Sequence, residues 1–247
     1  EFPTLADPVQ PRPTSAPRRE PANHKLVKTV ALFTYAYPWA AARNLLRGLR
    51  RRAHVAVLLY HRVSDDFRDP LTVGVEQFRE QLRFLRRHYE VIDLGEFLAG
   101  QGRFRRRPAV ALTFDDGYRD NLLAARLLRR EGLPCTFFIS TRIVGSDAPF
   151  PHDLRRLGRR VPSLSWAEAR RIAAWGFHFA SHGTVHVDFG QLSLAEAEAN
   201  IRTAAADLAR ELSPQALATW FAFPRGRTEN LPPAIRALLP RLGVQFC

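Results

Sequence analysis

Methionine is missing from all 247 residues, position 1 included, so the expectation is that the sequence is not a whole primary translation product and that an export signal could lie outside it. Cysteine is scarce. Cys135, in an apolar run, and Cys247, at the terminus, supply neither a disulfide framework nor a metal-ligand spacing. No run of about 18 or more apolar residues occurs, which excludes a spanning helix of ordinary composition. The nearest candidate, 27–46, is interrupted by Pro38 and Arg43 and precedes an arginine-rich stretch. It reads as part of a basic amphipathic segment over 25–53, and its charge order is the reverse of a signal peptide's. Acidic residues are outnumbered, 24 against 37 basic ones, nearly all arginine, for a formal charge of +13. Such an excess permits attraction to nucleic acid, anionic lipid or acidic glycan. The arginines cluster at 50–52, 103–107 and 155–160 without interleaved aromatics or a nucleic-acid motif, so no nucleic-acid partner is expected. An anionic membrane surface stays open as a partner.

Six of the 18 prolines fall in the first 24 residues, which read as a disordered leader. From residue 54 to the end, 46% overall hydrophobic content and sufficient length suit one domain with a substantial core. Apolar strands are expected at 55–60, 90–93, 110–114, 134–140, 176–180, 219–223 and 244–246. Helices are expected at 75–88, 94–99, 119–131, from Ser165 to before Gly176, from Ser193 to about 212, and at 232–239. Ser165 with Glu168, and Ser193 with Glu196, have the spacing of capping boxes. Alternating β and α elements mean a parallel sheet in an α/β fold, expected to close as a distorted barrel. The stretch 141–164 is the longest without periodicity and is expected to be a binding loop at the functional face.

The densest chemistry is Thr-Phe-Asp-Asp-Gly at 113–117, two adjacent carboxylates at the end of an apolar strand, where parallel α/β folds place their sites. Neighbouring strand residues point to opposite faces, so Asp115 and Asp116 can take separate jobs if the backbone bends there. A second strand-like run leads into Ser-His-Gly-Thr-Val-His at 181–186, and two histidines four apart can close on one cation. Gly183 and two β-branched residues favour a strand-end loop over a regular helix. An acidic pair and a histidine pair at two strand ends together make a facial Asp/His/His set with room for water and substrate.

With these motifs the chain resembles the polysaccharide deacetylase family, also called NodB-homology or carbohydrate esterase 4, over roughly residues 55 to 247. The resemblance implies a distorted (β/α)7-type barrel, here without its last segment and so truncated at the C-terminus. It implies Asp115 as catalytic base, and Asp116, His182 and His186 as ligands of a divalent metal, Zn before Co, Ni or Fe. Phe-Ala-Phe-Pro-Arg-Gly at 221–226 looks like the family's Phe-x-Tyr-Pro-x-Gly segment, whose backbone N–H after the proline lines the oxyanion site. That residue is Arg225 here, where an aromatic is usual. No histidine follows His186, yet most members place their catalytic acid near the C-terminus. Tyr60-His61 on the first strand looks like the motif of a permuted branch similar to poly-N-acetylglucosamine deacetylases, which implies His61 as the general acid.

The expected function is metal-dependent N-deacetylation of an N-acetylhexosamine polysaccharide, with the N-acetylated glycan as partner and a cell-envelope or membrane-associated location ahead of a cytoplasmic one. Two alternatives accompany it. One is an amidohydrolase for a small C–N substrate; the other is a non-catalytic binder of glycan or anionic surfaces.

Overall fold

A computed structural model describes residues 55–98, 108–213 and 216–244. They belong to one compact unit, Arg51–Cys247. The expected leader (1–24), the basic segment (25–53), the arginine cluster at 103–107, most of the strand expected at 244–246 and Cys247 lie outside the described residues.

The chain runs β1 (Val55–Tyr60), β2 (Arg62–Val63), β3 (Thr72–Val73), α1 (Val75–His88), β4 (Glu90–Ile92), α2 (Leu94–Glu96), β5 (Ala109–Phe114), α3 (Asn121–Glu131), β6 (Thr136–Ile139), α4 (Pro151–Leu157), α5 (Trp166–Ala174), β7 (His178–Ser181), α6 (Leu194–Leu212), β8 (Ala216–Phe221) and α7 (Pro233–Leu238). This is the expected mixed α/β fold with a parallel sheet. Both capping boxes form, Ser165 with Glu168 and Ser193 with Glu196, and start α5 and α6.

Six strands make one all-parallel sheet along β1-β5-β6-β7-β8, with β4 also paired to β5. No pairing closes the path among the described residues, and β1 pairs there with β5 alone. β5 is buried at all six positions, as its unbroken apolar run requires of a strand covered on both faces. Across the sheet, register partners Tyr60, Phe114, Phe137 and Phe179 stack their rings at centroid spacings of 5.3, 5.4 and 5.4 Å. Such cross-strand aromatic pairs resist a slip in register. His61 and Asp115 each follow directly on a ring of this ladder, so the same packing sets their level.

The stretch 141–164 is more ordered than the sequence suggests. It contains α4, which opens on Pro151 and stops at Gly158 in the left-handed conformation. Seven residues span only two turns, too few to show a period.

Candidate active site

Asp116 sits where β5 must turn. Gly117 N–H donates to Asp115 O at 3.0 Å across Asp116, whose φ is 74°, the pattern of a γ-turn with a strained central residue. That bend turns two sequential carboxylates into two differently placed ones. Gly117 itself has φ of 91°, and a Cβ there would lie 2.8 Å from Val144 Cγ2, so only glycine fits. Asp115 N–H donates to Tyr60 O at 2.9 Å, tying the end of β5 to the end of β1, where His61 follows.

His182 and His186 arrive from the loop after β7. His182 N–H donates to Ile139 O at 2.9 Å, and its ring Nδ1 lies 2.8 Å from Ala222 O. A carbonyl there can only accept, so Nδ1 carries the proton and Nε2 presents its lone pair. A break in register brings Ala222 within reach: β7 and β8 pair Ala180 with Leu217 but Ser181 with Phe221. His182 Nε2 and His186 Nε2 lie 3.6 and 3.3 Å from Asp116 Oδ1. Tetrahedral ligands bonded at about 2.0–2.1 Å sit roughly 3.3 Å apart, so these spacings suit one small cation. Both Asp116 oxygens are buried without a hydrogen-bond partner, which leaves the carboxylate open to a ligand. Among the described residues this trio is the one His/Cys/Asp/Glu group with ligand geometry.

Electrostatics agree with that donor set. Burial, with His186 alongside, pushes the His182 imidazole well below its ordinary value, and burial with His152 pushes His186 down to about 3. Both rings are therefore neutral at physiological pH and free to ligate. Burial, with Asp153 nearby, raises Asp116 to about 7 against the pull of Tyr118 and Arg62. Asp115 is raised well above the usual carboxylate range by burial and by Asp116. Burial, then Arg62 and Arg156, lowers His61 to about 4.

Arg225 has φ of 71° in a turn where Gly226 N–H donates to Phe223 O at 3.1 Å. With Pro224 before it, this is the pattern of a type II turn, whose third residue takes positive φ and keeps its N–H out of the turn hydrogen bond. The Arg225 guanidinium reaches away to Asp188 Oδ2 at 3.2 Å. Asp116, His186 and Arg225 are the three non-glycine residues with positive φ among those described. Strain of about 1–3 kcal/mol per residue is concentrated on the site.

Three contributors escaped the sequence reading. His152 on α4 places Nε2 3.6 Å from Asp116 Oδ2 and 2.7 Å from the Tyr118 hydroxyl, with its ring 4.7 Å from that of His186. Arg62 is fully buried between Asp69 and Asp153. Asn200 on α6 staples the histidine loop: its Oδ1 accepts from Thr184 N–H at 3.0 Å and its Nδ2 donates to Thr184 Oγ1 at 2.8 Å. A polar residue on the apolar stripe of an amphipathic helix is the signal that marks Asn200. Asn200→Ala is expected to weaken metal affinity about 10–100-fold, the range for lost outer-shell support, as read by chelator competition.

Residues 103–247, more than half of the chain, match the family model described as polysaccharide deacetylase. The chain belongs to the polysaccharide deacetylase family. Polysaccharide deacetylases hydrolyse N-acetyl amide bonds, which makes this protein a hydrolase of non-peptide C–N bonds acting on acetylated polysaccharide. His61 and Arg62 precede the matched span.

Solved structures similar to this deacetylase include the Streptococcus pyogenes deacetylase PplD in complex with acetate, at 20% identity and a TM-score of 0.61, covering 77% of this chain and 81% of that one. IcaB from Ammonifex degensii is similar at 20% identity and 0.62, covering 78% and 82%. A de-N-acetylase from Aggregatibacter actinomycetemcomitans is similar at 16% and 0.63, covering 76% and 85%. At these identities the likeness is one of fold. No curated protein matches the chain.

Proposed function

We propose that the protein is a divalent-metal-dependent N-deacetylase of N-acetylhexosamine polysaccharide, from the branch similar to poly-N-acetylglucosamine deacetylases. Asp116 carries this reading: a buried carboxylate unpartnered on both oxygens, beside two neutral imidazoles. Asp116, His182 and His186 would hold the cation, with Zn expected and Co, Ni or Fe as substitutes. When bound, it would polarise the acetamido carbonyl, acidify a water and draw the adjacent Asp115 carboxyl toward its ionised form.

Asp115 then serves as general base and takes the proton of the attacking water as the new C–O bond forms. The Arg225 N–H, which the turn leaves unused, donates to the developing oxyanion. His61 protonates the departing amine as the C–N bond breaks, giving acetate and a free amino sugar. Because burial and Arg62 keep the resting imidazole neutral, the proton that His61 delivers is the one Asp115 has taken from the water, passed on before the C–N bond breaks.

The Arg225 role is borne by backbone, so Arg225→Gly should keep kcat within about threefold, since glycine retains the N–H and tolerates positive φ. A loss of about 100-fold, the scale of a lost oxyanion donor, would assign the work to the side chain. Acetate release across chitooligosaccharides, β-1,6-linked N-acetylglucosamine oligomers, peptidoglycan fragments and small amides tests the function itself. Turnover of small amides alone would overturn the polysaccharide reading.

A further inference from the structure

Helix α4 supplies a clue to substrate charge. His152 faces Asp116, and residues three and four further along a helix share a face, so Arg155 and Arg156 stand one turn along from His152. Both are exposed, and neither forms an ion pair among the described residues. Several arginines elsewhere have a counter-ion, as Arg79 has Glu76, Arg170 has Glu211 and Arg202 has Glu198, while others such as Arg126, Arg130 and Arg171 form no ion pair among the described residues. At the site itself, Arg225 is answered by Asp188. Buried Arg62 is answered twice. Arg155 and Arg156 are thus two uncompensated positive charges on the helix that also carries His152.

Their field reaches a reacting group. Arg156 adds to burial and Arg62 in lowering His61 to about 4. Arg159, a turn further on, is engaged over the Phe67 ring at 4.6 Å and with Asp66 O at 3.2 Å. Two free guanidiniums offer paired N–H donors that match the oxygens of a carboxylate or a phosphate.

We propose that Arg155 and Arg156 form a subsite for an anionic group on the glycan, so that the preferred substrate is an acidic N-acetylated polysaccharide. The proposal rests on the deacetylase reading and adds the charge of the substrate to it. Three oligomer sets of equal length separate the sources of the anion: neutral N-acetylglucosamine, the same backbone carrying carboxylates, and the same backbone carrying phosphodiesters. At least one anionic set should exceed the neutral set in kcat/KM by about tenfold, mainly through KM, and the gap should close as salt rises from about 0.05 to about 0.5 M. Whichever set is preferred names the group. The double variant Arg155→Gln/Arg156→Gln should bring the anionic-to-neutral ratio close to one.

Equal kcat/KM for neutral and anionic sets in the unaltered protein would overturn the subsite while leaving deacetylation intact. Calorimetric binding of the same oligomers to the metal-loaded protein gives a readout that needs no turnover. Loss of the anionic preference in the double variant supports the subsite even if no acetate appears. An unchanged preference overturns it. Absence of acetate from every set would instead count against the deacetylase reading.

Discussion

Asp115→Asn should lower kcat for acetate release by about 10²–10⁴-fold, the usual contribution of a positioned general base, with divalent-metal affinity unchanged. The amide is nearly isosteric with the carboxylate and cannot take up a proton. Asp115 is not one of the three residues whose ligand atoms converge. Its surroundings explain why the carboxyl is kept there: burial and Asp116 raise its affinity for a proton far above that of a surface aspartate, which suits a group that must remove one from water. Metal binding by chelator competition and turnover by acetate release, measured on one preparation, separate the two roles assigned to the carboxylate pair. Equal losses in both would merge those roles.

Arg62→Leu should destabilise the fold by about 3–5 kcal/mol, the cost of stripping one partner from a buried ion pair, measured by urea unfolding. The guanidinium has no exposure and each of its three nitrogens donates: Nε to Thr72 Oγ1 at 3.0 Å, Nη1 to Asp153 Oδ1 at 2.6 Å, and Nη2 to Asp69. Its faces lie over the rings of Tyr118 and Phe67 at 4.7 and 5.3 Å. Without it, Asp153 would be a carboxylate with no exposure and no counter-ion. Adding Asp153→Asn to Arg62→Leu should therefore restore part of the loss, because the charge left behind, more than the missing contact, sets the penalty. The pair also joins two walls of the site, since Arg62 follows His61 and Asp153 follows His152. A penalty below about 1 kcal/mol would show that the pair is solvated in practice.

The strand ends of the candidate site were legible because their chemistry is written in contiguous residues. Asp115 with Asp116, and His182 with His186, each sit on one short stretch after an apolar run, and local turn chemistry delivers them to the sheet end. The capping boxes at Ser165 and Ser193 were legible for the same reason. What stayed hidden depends on distant partners. Arg62 stands in an apolar stretch that hints at a buried charge, but Asp153 is 91 residues away and no local pattern names it. His152 lies on a helix of two turns inside a stretch that looks like loop, and only the fold turns it toward Asp116. The positive φ of Asp116, His186 and Arg225 is likewise invisible to a reading by residue type, because none of the three is glycine.

The Arg225 side chain shows the same limit. An arginine in place of the usual aromatic suggests a contact with substrate, yet it is paired with Asp188, which also accepts from Gly190 N–H at 2.9 Å and Asn230 Nδ2 at 2.8 Å. Arg155 and Arg156, which form no ion pair among the described residues, are on α4 with His152.

Metal content is the most direct measurement of the central claim, made by elemental analysis of the purified protein and of Asp116→Ala after equilibration with Zn. The account predicts about one tightly held divalent ion per chain in the unaltered protein, little or none in the variant, and acetate release that disappears on chelation and returns with Zn. An unaltered protein that holds no stoichiometric ion and gains no activity with Zn or Co would contradict it.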